Sequence, residues 1–157
     1  MSIIRLTKKF HFEMAHALQN YDGLCAHLHG HSYCLTVTVI GKPLAQIGHP
    51  KDGMVMDFND LKKIVQQEII DHCDHALMLN KNQQTEIPCH NNDSVLLKKT
   101  VLVDYQPTSE NIVTDFAQRI AKKLPQHVNL HHLILHETNT SSAEWWAEEN
   151  IKTIIND

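Results

Sequence analysis

At 157 residues the chain has one domain's worth of length, enough to bury a core without disulfides or a structural metal, so a bound metal would be functional. A formal charge of −4, from 14 Lys and Arg against 18 Asp and Glu, with basic residues scattered in pairs such as Lys62 and Lys63, offers no electrostatic footprint for nucleic acid. No apolar run reaches membrane-spanning length. The four cysteines (Cys25, Cys34, Cys73, Cys89) form no CxxC pair, and "MSIIRLTKKF" lacks the apolar core of a signal peptide, which points to free thiols in a reducing cytoplasm. The unusual count is 13 histidines, nearly as many as Lys and Arg together.

The segment "FHFEMAH", Phe10 to His16, alternates strictly and predicts a strand with Phe10, Phe12, Met14 and His16 on one face and His11, Glu13 and Ala15 on the other. "LQNYDGLCAH" reads as the loop to a second strand in "HGHSYCLTVTVI", whose parity gathers His29, His31, Tyr33, Leu35, Val37 and Val39. Both strands therefore carry histidines inward at their ends. After the turn-rich "GKPLAQIGHPKDG" a short strand is expected in "MVMDF", then a helix with Leu61, Ile64, Val65 and Ile69 at helical spacing, capped by Asp57 or Asn59. "HALMLN" reads as a short strand and Asn80 to Ser94 as a polar loop. A strand near Thr100 to Val103 leads into "PTSEN", where Thr108 or Ser109 can cap a second helix that carries Ile112, Val113, Phe116, Ala117, Ile120 and Leu124 and stops before Pro125. "LHHLILHET" is the last clear strand, with Leu133, Leu135 and Glu137 on one face. No repeat or linker divides the chain. Residues 1–157 are expected to form one α+β domain, an antiparallel sheet with two helices on one face.

Extended backbone sets the Cα atoms of His29 and His31 roughly 6.5 Å apart on one face, so both rings can reach one ion at the zinc–nitrogen distance of about 2.0–2.1 Å. His16, inward on its own strand, is the candidate third ligand. Three histidines and an open position form the catalytic arrangement of zinc, whereas structural sites close with four protein ligands. The plainer alternative is a set of inward histidines hydrogen-bonded within the core. His27 shares the parity of His29 and His31 but precedes the regular strand and reads as loop. Cys25 has three readings: a thiol whose thiolate nearby zinc would favour, as base or nucleophile; a small buried hydrophobe; or a fourth ligand closing the shell. Asp74 can orient His75 for proton transfer if a turn brings the two adjacent side chains together. Glu137, a carboxylate on an inward apolar stripe, needs partners such as the paired N–H donors of a heterocycle or an arginine. Glu110 lies in a helix's first turn, where negative charge is favoured anyway.

These pieces, "FEMAH", "CAHLHGHSY", "GMVMDFNDLK", "CDHALMLN", "PTSEN" and "HET", taken in order from Phe12 to Thr138, resemble the family of 6-pyruvoyl and 6-carboxytetrahydropterin synthases. The resemblance implies an α+β T-fold of antiparallel strands and two helices whose sheets join between subunits into a barrel. The assembly is usually a hexamer of two trimers with active sites between subunits. It implies one zinc per chain on His16, His29 and His31, Cys25 as general base, and Asp74 with His75 completing proton transfer. Glu137 matches the carboxylate that anchors the guanidine-like edge of the pterin, and Thr108, Ser109 and Glu110 match residues lining the pterin pocket. The family position matching His27 is not a ligand. The substrate implied is 7,8-dihydroneopterin triphosphate. The cysteine in "CAHLHGH" separates the chain from folate-branch relatives with glutamate there, and "LHGHSY", "GMVMDFNDLK" and "PTSEN" look most like bacterial members of the 6-carboxy branch, which feeds queuosine synthesis. The 6-pyruvoyl product is the alternative, and a non-catalytic zinc- or pterin-binding protein of the same fold is the rival from another class. The segment Lys81 to Val103 and the tail "NTSSAEWWAEEN" depart from the short bacterial members.

Overall fold

The computed structural model describes residues 2–86 and 97–154. Strands β1 (Ile4–His16), β2 (His29–Gly41), β3 (Ala76–Asn80), β4 (Thr100–Val103), β5 (Val128–His136) and β6 (Ser142–Trp146) form one sheet in the order β4-β3-β1-β2-β5-β6. Helices α1 (Phe58–Val65), α2 (Ser109–Ala121) and α3 (Ala147–Ile154) complete the regular structure; α1 continues through a π turn (Gln66–Ile70) and a last α turn (Asp71–Cys73). The expected alternation holds along β1, where Phe10, Phe12, Met14 and His16 are buried and His11 and Glu13 exposed. Leu61, Val65, Ile69 and Cys73 from the first helical run and Ile112, Phe116, Ala117 and Ile120 from α2 bury against that face in one core with Tyr33, Leu35 and Val37. The extra residue of the π turn lets the adjacent Ile69 and Ile70 both be buried. Phe12 stacks on Tyr33 at 5.2 Å and meets Phe116 at 6.2 Å, fixing both long strands to α2. Asp57 caps α1 by accepting from Asn59 N, and Thr108 caps α2 by accepting from Asn111 N.

Three expectations need correction. The sheet is mixed: β1–β2, β2–β5 and β5–β6 are antiparallel, but β3 runs parallel to β1, and β4 parallel to β3. Crossover connections rather than hairpins deliver both short strands, and a crossover returns the chain in the same direction. "MVMDF" is not a strand; Val55 and Met56 are buried under the sheet's end without a ladder partner, and Asp57 starts the helix at once. In the tail, Ser142–Trp146 forms an edge strand on β5 that the sequence reading did not mark. Its alternation is masked because Glu144 accepts from the His132 ring (3.0 Å) and from Trp146 Nε1 (3.1 Å), while the Trp146 ring stacks on His132 at 3.6 Å. The expected loop from Asn80 holds a 3-10 turn over Lys81–Glu86; the rest of it, with Cys89, lies outside the described residues.

Candidate metal centre

The histidines meet because of strand register. Antiparallel pairing puts His16, the last residue of β1, directly opposite His29, the first of β2, and sets His31 opposite Met14 one pleat further in. Gly30 lies opposite Ala15, where a Cβ would come within 3.3 Å of the Met14 carbonyl, so the two strands approach closely at this point. One nitrogen from each of His16, His29 and His31 lies within 4.8 Å of the others.

The hydrogen bonds decide which nitrogens are free. His16 Nδ1 donates to the Pro107 carbonyl at 2.7 Å, and His29 Nδ1 donates to the His27 carbonyl at 2.8 Å. Carbonyls only accept, so each ring, when neutral, carries its proton on Nδ1 and a lone pair on Nε2. Those two Nε2 atoms face each other at 3.1 Å. Lone pair against lone pair is repulsive unless a cation lies between them, and tetrahedral zinc at about 2.05 Å from each nitrogen separates its ligands by about 3.3 Å. His31 Nε2 is buried and has no hydrogen-bond partner among the described residues. Burial is the chief reason the His16 and His31 imidazoles are held below the ordinary histidine pKa; the Pro107 hydrogen bond at His16 and the Glu137 charge at both pull the other way, and neighbouring imidazoles add to the lowering. The neutral ring is the form that binds metal. The donor set fits a zinc ion.

Around the trio, Glu137 extends from the end of β5, with Oε1 3.5 Å from His16 Nε2 and 3.7 Å from His31 Nε2. The Tyr33 hydroxyl, on a fully buried side chain, donates to that oxygen at 3.4 Å. Burial, then the Glu137 charge, raises the Tyr33 pKa, so the phenol stays a donor. Cys25 is partly buried, in a short 3-10 turn (Leu24–Ala26) of the loop that joins His16 to His29. His27 contributes its carbonyl, not its ring. The Pro107 carbonyl brings the start of α2 to the trio; there Thr108 serves as cap, Ser109 Oγ is buried without a partner among the described residues, and Glu110 lies in the first turn. Neither the Pro107 carbonyl nor the Tyr33 hydroxyl was singled out from the sequence. A carbonyl has no residue signature, but Tyr33 sits next in the inward series after His29 and His31.

Asp74 and His75 are brought together by a turn in which His75 has φ 58°, placing Asp74 Oδ1 3.0 Å from His75 Nδ1. The Glu13 N–H, donating to Asp74 Oδ1 at 2.9 Å, is the main cause holding that carboxyl below its usual range, with His75 adding to it. His75 is 77% exposed and lines an open cavity of about 650 Å³ that also touches His31, Glu13, Ser32 and Lys99. Among the described residues no hydrogen bond or ion pair joins the Asp74–His75 pair to Cys25 or to the three histidines.

The chain is similar in sequence and fold to known proteins. A profile of the 6-pyruvoyl tetrahydropterin synthase family matches residues 5–148. The 6-carboxy-5,6,7,8-tetrahydropterin synthase of Haemophilus influenzae is 36% identical over 143 residues, covering 91% of this chain and 99% of that protein. The enzyme of the same name from Synechocystis is 34% identical over 141 residues, covering 89% and 91%. The crystal structure of 6-pyruvoyl tetrahydropterin synthase from Plasmodium vivax superposes with a TM-score of 0.70 at 19% identity, covering 92% of this chain and 98% of that one, and shows the shared T-fold. With a family match over nearly its whole length and the histidine trio, Tyr33 and Glu137 assembled at one end of the sheet, the chain belongs to the 6-pyruvoyl tetrahydropterin synthase family.

Proposed function

We propose that this chain is a zinc-dependent 6-carboxytetrahydropterin synthase. It converts 7,8-dihydroneopterin triphosphate and water to 6-carboxy-5,6,7,8-tetrahydropterin, acetaldehyde and triphosphate, for queuosine synthesis in the cytoplasm. The observation that carries the reading is the pair of Nε2 lone pairs of His16 and His29 opposed at 3.1 Å beside the Glu137 carboxylate. Similarity to two relatives named for the 6-carboxy product favours that branch. No helix among the described residues is long and apolar enough to cross a membrane.

His16, His29 and His31 would hold one zinc per chain, and the bound ion supplies a Lewis acid that lowers the pKa of the substrate's side-chain hydroxyls. Cys25 removes a proton from the three-carbon side chain as general base, and His75, oriented by Asp74, moves the second proton. Glu137 accepts the paired N–H donors of the pterin edge, with the Tyr33 hydroxyl holding its Oε1 in place. Thr108, Ser109 and Glu110 line the ring pocket, and the Ser109 hydroxyl, without a partner among the described residues, can meet a polar atom of the ring. Residues 1–157 act as one domain in a homohexamer of two trimers, with each active site between subunits. Among the described residues no hydrogen bond or ion pair joins Cys25 to Asp74 or His75, and in such an assembly a neighbouring copy would bring the pair to the thiol.

Two measurements test this. Purified protein supplied with zinc and 7,8-dihydroneopterin triphosphate is expected to release acetaldehyde and form a 6-carboxy pterin. Triphosphate release with the side chain intact would assign the 6-pyruvoyl product, and zinc and pterin binding with neither product would mark a binding protein. Glu137→Gln is expected to weaken pterin binding about tenfold or more, since a hydrogen bond to a charged group contributes about 1.5–3 kcal/mol, with zinc content unchanged. Equal pterin affinity in calorimetry would remove Glu137 from the pocket.

A further inference from the structure

We infer that Gln106 is a positioning residue for Cys25: its side-chain amide pairs with the backbone of Gln19 and holds the Cys25 loop in place beside the histidine trio. The inference rests on the reading of Cys25 as the base. Residues 17–28 leave β1 at His16 and return at His29. Little in the loop's own side chains holds it down. Tyr21, Leu24 and Leu28 are 48%, 85% and 63% exposed, and the turn that carries Cys25 buries none of its residues. Hydrogen bonds from outside the loop do the holding. Gln19 N donates to Gln106 Oε1 at 3.1 Å, and Gln106 Nε2 donates to Gln19 O at 2.7 Å, so one amide satisfies both backbone groups of one residue. Gln83, only 6% exposed, adds to the same stretch: with its amide turned to satisfy both atoms, it donates to Ala17 O at 3.3 Å and accepts from Gln19 N at 3.2 Å. Between these anchored residues, Leu18 N donates to the Cys25 carbonyl at 2.9 Å.

The other end of the clamp is equally fixed. The Gln106 carbonyl accepts from Thr108 N at 2.8 Å and from Asn111 Nδ2 at 2.9 Å, which ties it to the first turn of α2. The next residue is Pro107, whose carbonyl takes the His16 Nδ1 proton. A single dipeptide thus orients a metal ligand through its backbone and the Cys25 loop through its side chain. Both contacts are therefore held by one short segment at the start of α2. Only a glutamine serves both bonds: glutamate lacks the donor, methionine lacks both groups, and asparagine is one methylene short.

The test uses the zinc-loaded, full-length protein. Gln106→Met removes both side-chain bonds and leaves the backbone bonds of residue 106 intact. Two neutral hydrogen bonds shift an equilibrium by on the order of tenfold, so kcat for 7,8-dihydroneopterin triphosphate should fall about tenfold with KM within about twofold and zinc content unchanged. Alkylation of Cys25 by iodoacetamide, followed by mass spectrometry of its peptide with buried Cys73 as internal reference, should accelerate by a similar factor. Gln106→Asn, one methylene short of both bonds, should give intermediate values in both assays and supplies a second route should Gln106→Met fail to fold. A Cys25 alkylation rate within about twofold of the parent in these variants overturns the inference, as does loss of zinc in step with activity. Alkylation needs no substrate, so it decides the clamp even if the chain makes neither pterin product.

Discussion

Replacing His16, His29 or His31 singly by alanine is expected to lower zinc content from one per chain to a small fraction of that, measured by metal analysis after equilibration against a weak chelator. Structural zinc sites with four ligands bind with apparent free energies of about 10–16 kcal/mol, so one ligand carries a few kcal/mol and its loss lowers affinity by on the order of a hundredfold or more. The three variants should differ in stability. His16 is 2% exposed and its loss strips the Pro107 carbonyl of its donor, so His16→Ala lowers the melting temperature of the metal-free protein as well as its zinc content. His29 is only half-buried and its Nδ1 bonds a loop carbonyl two residues away, so His29→Ala should release metal with little change in the metal-free fold. Unchanged zinc in any variant removes that residue from the site.

Cys25→Ala is expected to keep zinc and assembly while turnover falls by about 10²–10⁴-fold, the usual contribution of a positioned general base. The group of ligand atoms within 4.8 Å of one another comprises His16, His29 and His31, and the zinc content of this variant is what separates a base from a fourth ligand. Loss of zinc together with activity would instead mark a closed, structural shell, and full activity would leave Cys25 with no catalytic part. Cys34→Ala is the matching control. Cys34 lies on the opposite strand parity from His29 and His31, at 4.0 Å from the His11 ring rather than near the trio, and its loss should leave turnover unchanged.

The inward series of β1 and β2 was legible because side-chain direction in a strand has period two, set by covalent geometry alone. Helix positions such as Phe116 and Leu61 were legible for the same kind of local reason, and the caps were narrowed to Asp57 or Asn59 and Thr108 or Ser109, of which the structure uses Asp57 and Thr108. "MVMDF" misled because a short apolar run signals burial rather than pairing, and Val55 and Met56 are buried without a ladder partner among the described residues. The edge strand Ser142–Trp146 was hidden because its polar residues pair with one another and with His132 across the ladder. Neither case leaves a pattern in one segment taken alone.

The sequence by itself determined which side chains face inward at the ends of the first two strands, and the order of motifs that identifies the family. It did not determine that His16 stands opposite His29, because register depends on how both strands pack under the helices; a slip of two residues would keep every parity and part the histidines. Nor could it supply the Pro107 carbonyl, 91 residues from His16, or bring Glu137 to Tyr33 across 104 residues, or join Gln106 to Gln19. Those contacts are between backbone groups that every residue carries, or between side chains whose separation is fixed only once the sheet and its helices close on one core. Local geometry turned the histidines inward; long-range packing chose what holds them.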